Sequence, residues 1–160
     1  FVDIREIILH ANDLLREDIG WDRFITLFFG RLCPARRELT FLNAGHPPAV
    51  VLGRDGTVKA ELKATLPALG IFPIETAPEP VTITLEPGQV LLLLTDGVAE
   101  AAAPSGEEFG RQRALEVVRA DRTLPAAEIV SAINAAVCAH SQGRPQGDDI
   151  TILIVKSMQS

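Results

Sequence analysis

The stretch that constrains this chain most is Val90-Leu91-Leu92-Leu93-Leu94-Thr95-Asp96-Gly97, an aliphatic run that ends in an acid and a glycine. A short apolar run bounded by turn residues predicts a strand covered on both faces. An aspartate at its exit is carried on rigid backbone, and Gly97 permits a sharp turn beside it. Near the C-terminus the arrangement is mirrored: Gly147-Asp148-Asp149 precedes the apolar stretch Ile150-Thr151-Ile152-Leu153-Ile154-Val155. If the two strands are antiparallel neighbours, the exit of one meets the start of the other. Asp96, Asp148 and Asp149 then share one sheet edge.

The rest of the chain supplies partners for these strands. Ile4, Ile7, Ile8, Ala11, Leu14, Leu15 and Ile19 recur at helical spacing, with Asp3 as N-cap and Gly20 as stop. Residues 24–32 and 38–43 read as strands of a hairpin turning at 33–37. Residues 43–48 break the second strand and 49–52 resume it, and Arg54-Asp55-Gly56 closes another hairpin in a primed turn. Residues 61–80 are Pro-rich and aperiodic, which predicts a long surface connection. Residues 81–85 alternate, and 86–89 turn them into the strand at 90. Helices follow at about 111–119 and after Pro125, the second with Ile129, Val130, Ile133, Ala136 and Val137 in its stripe. The strands at 24–29, 90–94 and 150–155 look covered on both faces, often the mark of a parallel sheet. Short hairpins, however, force antiparallel pairing. Both hold in an α+β fold, a helix–sheet–sheet–helix layered sandwich of two antiparallel sheets.

Composition narrows the function. At 160 residues one domain is expected. A net charge of −6 without a basic stripe argues against nucleic acid as a partner. No apolar run is long enough for membrane insertion. With no leader at the start, Cys33 and Cys138 are expected as reduced thiols of a cytoplasmic protein. Soft-metal spacings, a G-x-S-x-G elbow and a phosphate-cradling glycine loop are all missing. Three aspartates at a sheet edge suit a hard divalent ion such as Mg²⁺ or Mn²⁺. Taken alone, a D-G or D-D pair is a turn more often than a ligand; with both at the ends of buried strands the two readings stand level.

Four motifs in order change that balance: Phe24-Ile25-Thr26-Leu27, Asn43-Ala44-Gly45-His46-Pro47-Pro48, Leu94-Thr95-Asp96-Gly97-Val98-Ala99-Glu100-Ala101 and Gly147-Asp148-Asp149-Ile150-Thr151. Together they resemble the bacterial branch of the metal-dependent protein phosphatase 2C family, the type seen in sporulation stage II protein E and the stress regulator RsbU. The resemblance implies a serine/threonine phosphatase with two Mn²⁺ or Mg²⁺ ions, acting on a phosphorylated protein of the anti-anti-sigma type. It implies metal ligation by Asp96 and Asp148, with Asp149, at a position where the family has Asp or Asn, a ligand or a support behind one, and Gly97 letting backbone pass close to the ions. It names no protein side chain as catalytic: water activated by the metals attacks phosphorus in line. For Asn43, Gly45 and His46 two readings stand. They shape the bend between two strands, or they line the site and touch substrate phosphate or water.

The family's first motif, an aspartate followed by glycine on an early strand, is not in this chain. Residues 1–160 are therefore expected to be a partial domain lacking its N-terminal strands, inactive alone and preceded by a sensor or regulatory domain. Open sheet edges would invite pairing with a second copy as a homodimer. The competing reading is a non-catalytic interaction module of the same fold. A receiver-like domain with Asp96 as phosphoacceptor needs alternating parallel strands and helices, which the hairpins oppose. His10 and His140 are read as capping or surface residues, Trp21 and Phe109 as packing residues, and Cys138 as a small buried apolar side chain.

Overall fold

A computed structural model describes residues 3–18 and 23–158. Ile19, Gly20 and Trp21 lie outside the described residues. The chain divides into two compact units, one of residues 1–48 and 62–85, the other of residues 49–61 and 86–160.

The first unit is a three-stranded antiparallel sheet with one helix. Helix α1 (Ile4–Asp18) starts where the sequence places it, for the Asp3 carboxylate accepts the Arg5 N–H at 2.9 Å. Its inner stripe is Ile4, Ile8 and Asn12, with Ala11 and Leu15 half-buried beside it. Leu14, expected in that stripe, points outward at 47% exposure. Strands β1 (Leu27–Cys33), β2 (Glu38–Ala44) and β5 (Val81–Thr84) pair in the order β1-β2-β5. A 3₁₀ turn at Pro34–Arg36 makes β1 and β2 the expected hairpin. Ile4 and Ile8 pack with Leu42 and Ala44 of β2 and with Leu66 and Leu69.

Those last two leucines correct the reading of residues 61–80 as a surface connection. Leu66 and Leu69 are buried, and Leu69 exchanges backbone hydrogen bonds with Ile25 at 2.8 and 3.0 Å. The buried Asn12 fastens the same loop to α1: its amide donates to the Phe72 carbonyl and its carbonyl accepts the Gly70 N–H, each at 3.0 Å.

The second unit is a four-stranded sheet carrying three helices. Strands β3 (Ala49–Leu52), β4 (Val58–Leu62), β6 (Val90–Leu94) and β7 (Ile152–Lys156) lie in the order β4-β3-β6-β7. Helices are the single turn α2 (Asp96–Ala99), α3 (Gly110–Asp121) and α4 (Ala126–Ser141). One core joins Val50, Leu52, Val90 and Leu92 to Phe109, Leu115, Val118, Ile129, Ile133 and Val137. Truncating a fully buried member such as Ile133 to Ala costs about 2–5 kcal/mol. Of the other side chains of β3 and β6, Ala49, Val51 and Leu91 are buried too and Leu93 and Leu94 half-buried, so the first part of β6 is covered on both faces as its sequence demands.

Four expectations need correction here. The stretches 24–29 and 150–155 are not covered on both faces, since Phe24, Ile25 and Leu153 stand open at 60%, 43% and 45% exposure, and β1 and β7 each end their sheet. The 86–89 turn is no hairpin, because β5 pairs with β2 and β6 with β3 and β7. The β3–β4 turn is not primed: a primed turn requires positive φ at its first central position at least, neither Arg54 nor Asp55 takes it, and the left-handed residue is Gly56 at φ +80°. Cys138 is exposed, on the outer side of α4, and forms no disulfide with Cys33. Antiparallel pairing holds in both sheets all the same, mostly through contacts remote in sequence.

Candidate metal edge at the ends of β6 and β7

The register of β6 against β7 decides which ends coincide. Val90 pairs with Lys156 and Leu94 with Ile152, so the strands are antiparallel neighbours and the exit of β6 faces the start of β7. Asp96 opens α2 directly after β6, and Asp148 and Asp149 lie just before β7; all three are exposed.

Thr95 fastens the two segments together. Its hydroxyl donates to the Asp149 carbonyl at 3.0 Å and accepts the Thr151 N–H at 2.9 Å. Its own N–H donates to the Thr151 carbonyl at 3.2 Å. Thr95 stands at the N-cap of α2 but makes no side-chain cap there, because its hydroxyl is engaged across the strands. Sequence reading gave this residue no role; the one signal was a threonine within two residues of an acid at each strand end. Gly97 is the second contact, since a Cβ there would meet the Asp149 carbonyl oxygen at 2.5 Å and that of Asp148 at 3.1 Å. Only a residue without a side chain lets the two backbones approach so closely.

Among the described residues, no group of three or more His, Cys, Asp or Glu side chains could hold a metal ion. One Asp148 oxygen is turned back to accept the Asp149 N–H at 2.7 Å, while the Gln146 amide donates to the Asp148 carbonyl. The donor chemistry at this edge fits a hard divalent cation, being carboxylate oxygen on exposed, closely held backbone. The number of donors does not close a site.

Asn43, Gly45 and His46 belong to the first unit and are organised around the buried Asn43. Its amide donates to the carbonyls of His46 at 3.0 Å and Leu62 at 3.1 Å, and its carbonyl accepts the His46 N–H at 2.8 Å. Gly45 takes φ +66° against the Ala68 backbone, which a Cβ would meet at 2.8 Å. The His46 ring nitrogen Nδ1 lies 3.4 Å from the Thr26 hydroxyl. The bend-shaping reading of this loop accounts for every one of these contacts.

A family model described as Stage II sporulation protein E (SpoIIE) matches residues 2–157. The chain belongs to the SpoIIE family. It is 39% identical over 146 residues to Protein IcfG of Synechocystis, covering 91% of this chain and 23% of that protein. It is 34% identical over 101 residues to the phosphoserine phosphatase RsbP of Bacillus subtilis, covering 62% of this chain and 24% of RsbP. The chain thus spans about a quarter of the length of these two relatives. Among solved structures, the PP2C domain of SiaA from Pseudomonas aeruginosa matches with a TM-score of 0.77 and 26% identity, over 96% of this chain and 60% of that one. The SpoIIE family is one of PP2C-type phosphatases, and the mixed helix and two-sheet fold derived above is that of the PP2C domain of SiaA. Among the described residues no helix is long and apolar enough to cross a membrane.

Proposed function

We propose that this chain is the C-terminal part of a serine/threonine phosphatase domain that hydrolyses phosphoserine or phosphothreonine on a signalling protein such as an anti-anti-sigma factor. The observation that carries the reading is the Thr95 clasp, which holds the backbone of Asp96 beside that of Asp148 and Asp149. A relative named for phosphoserine hydrolysis supports the substrate class.

In this reading Asp96 and Asp148 are ligands of two Mn²⁺ or Mg²⁺ ions, with Asp149 a further ligand or a support. The first aspartate motif and the N-terminal strands come from sequence outside these residues, and an upstream regulatory domain governs the site. Bound divalent ions supply charge neutralisation at the phosphoryl group and a water nucleophile near neutral pH. The work of this chain's own residues is positional. Thr95 and Gly97 set the spacing between the acid-bearing segments, and exposed Asp96 and Asp148 present their oxygens to solvent and substrate.

The test is turnover of p-nitrophenyl phosphate and of a phosphoserine protein by the complete domain during Mn²⁺ titration. Asp96→Asn and Asp148→Asn are expected to abolish turnover while leaving the thermal midpoint near that of the parent without metal. Full activity in both variants would remove the assignment. Binding of the phosphoprotein without turnover, at saturating metal, would instead favour an interaction module.

A further inference from the structure

The end of the four-stranded sheet remote from Asp96 collects positive charge. Val90 and Leu94 are four steps apart along β6, roughly 13 Å of strand. At the Val90 end stand Arg54 after β3, Arg119 and Arg122 at the close of α3, and Lys156, the register partner of Val90. Of the other cations, Arg5, Arg36, Lys59, Arg111 and Arg113 each pair with a carboxylate, while Arg16 and Lys63, exposed and apart from this cluster in the first unit, have none among the described residues. Among the described residues, Arg54, Arg119, Arg122 and Lys156 have no such partner.

Three of the four are held instead by backbone carbonyls. Arg119 Nε donates to the Gly56 carbonyl at 3.0 Å, Arg122 Nε to that of Arg54 at 3.1 Å, and Lys156 Nζ to that of Arg122 at 2.8 Å. Further bonds run from Arg122 to the Arg119 carbonyl and from Lys156 to that of Leu124. The bonds to the Arg119 and Arg122 carbonyls cap the end of α3, where cations are favoured, and those to Gly56 and Arg54 tie that end to the β3–β4 turn. Carbonyls orient the cations without neutralising them, and capping leaves N–H groups of Arg122 unused. It does not account for Arg54, whose side chain makes no hydrogen bond among the described residues and lies against Gly88, with Cγ 3.4 Å from where a Cβ would stand.

Arg54, Arg122 and Lys156 line one cavity of about 510 Å³ together with Thr123 and Ser157. That volume lies in the range of small-molecule sites. Convergent cations and hydroxyls in a concave setting suit a compact anion with several acceptor oxygens, for which arginine offers paired donors. We propose that this cavity is a binding site for a small phosphate anion, distinct from the acidic edge at the other end of the same sheet. A concave site favours a small anion over an extended acidic surface.

The proposal is independent of the phosphatase reading and is tested without divalent metal. Inorganic phosphate is titrated calorimetrically into the intact protein in the presence of chelator, at ionic strength held constant with chloride. The expected result is saturable binding, weakened at least about tenfold in both Arg54→Gln and Arg122→Gln. Asp96→Asn should bind phosphate as the parent does. Arg54→Gln, which removes no hydrogen bond among the described residues, should keep the parental melting temperature in chloride. No saturable heat, parental affinity in either arginine variant, or loss of binding in Asp96→Asn would each overturn the proposal. So would a poly-glutamate peptide that binds in an Arg54-dependent way where phosphate does not, which would assign the surface to an acidic protein partner.

Discussion

Gly97 stands against the carbonyl of Asp149: a methyl group on its Cα would lie 2.5 Å from that oxygen and 3.0 Å from the carbon bearing it. Neither atom ends a flexible side chain, so the conflict is resolved only by moving backbone. Gly97→Ala should push the 147–149 segment away from α2 and cost about 1–3 kcal/mol, the usual penalty of an overfilled contact. Urea denaturation measures the stability loss, and turnover by the complete domain measures the displaced acids. Unchanged stability and activity would mean that the segment yields freely.

Thr95 makes a second, separable claim on the same junction. Thr95→Val keeps the shape and deletes both hydroxyl bonds, to the Asp149 carbonyl and from the Thr151 N–H. A loss of about 1–2 kcal/mol is expected, with the junction half open to water. Thr95→Ser should recover most of it. If Ser and Val variants unfold alike, packing by the methyl group and not the clasp holds these strands.

Much of this junction was legible in the chain before any coordinates. Five aliphatic residues ending in Asp96-Gly97 could only be a buried strand delivering an acid, and Asp148-Asp149 before a second apolar run gave its counterpart. Burial of the other segments was less legible. The apolar residues of β1 and β7 are as hydrophobic as those of β6, but position in the sheet sets exposure, and pairing order is a tertiary property. Leu66 and Leu69 sit among prolines without any period, so no local pattern marked them as core. The Thr95 hydroxyl was hidden for a similar reason: its partners are 54 and 56 residues away.

Asn43 gives a prediction about the first unit. Its side chain satisfies the His46 N–H and the carbonyls of His46 and Leu62 while fully buried. Asn43→Ala strands these groups away from water and should cost about 2–4 kcal/mol. His46→Gln keeps the main-chain bonds that Asn43 makes, so it should be far milder in chemical denaturation. Should activity of the complete domain nonetheless collapse in His46→Gln at unchanged stability, the loop lines the site as well as bending the chain.

The β3–β4 turn predicts a pH dependence. The Asp55 carboxyl is held well below its ordinary value of 3.8, first by the Thr57 hydroxyl, then by the Thr57 N–H, then by Lys59. The hydroxyl and ammonium lie at 2.7 and 3.1 Å. A carboxyl whose folded value is depressed adds stability that is fully present above the unfolded value and is lost as pH falls through the folded one. Thr57→Val removes the leading cause, so the variant should be less stable than the parent near neutral pH. The difference should shrink as acidification below 3.8 protonates Asp55 in the unfolded chain. Salt should do little to it, because a hydroxyl bond is not screened, whereas the exposed Lys59 contribution is. Urea denaturation of both proteins across this range decides the matter: a gap that widens on acidification would mean that the Thr57 hydroxyl does not stabilise the ionised carboxylate.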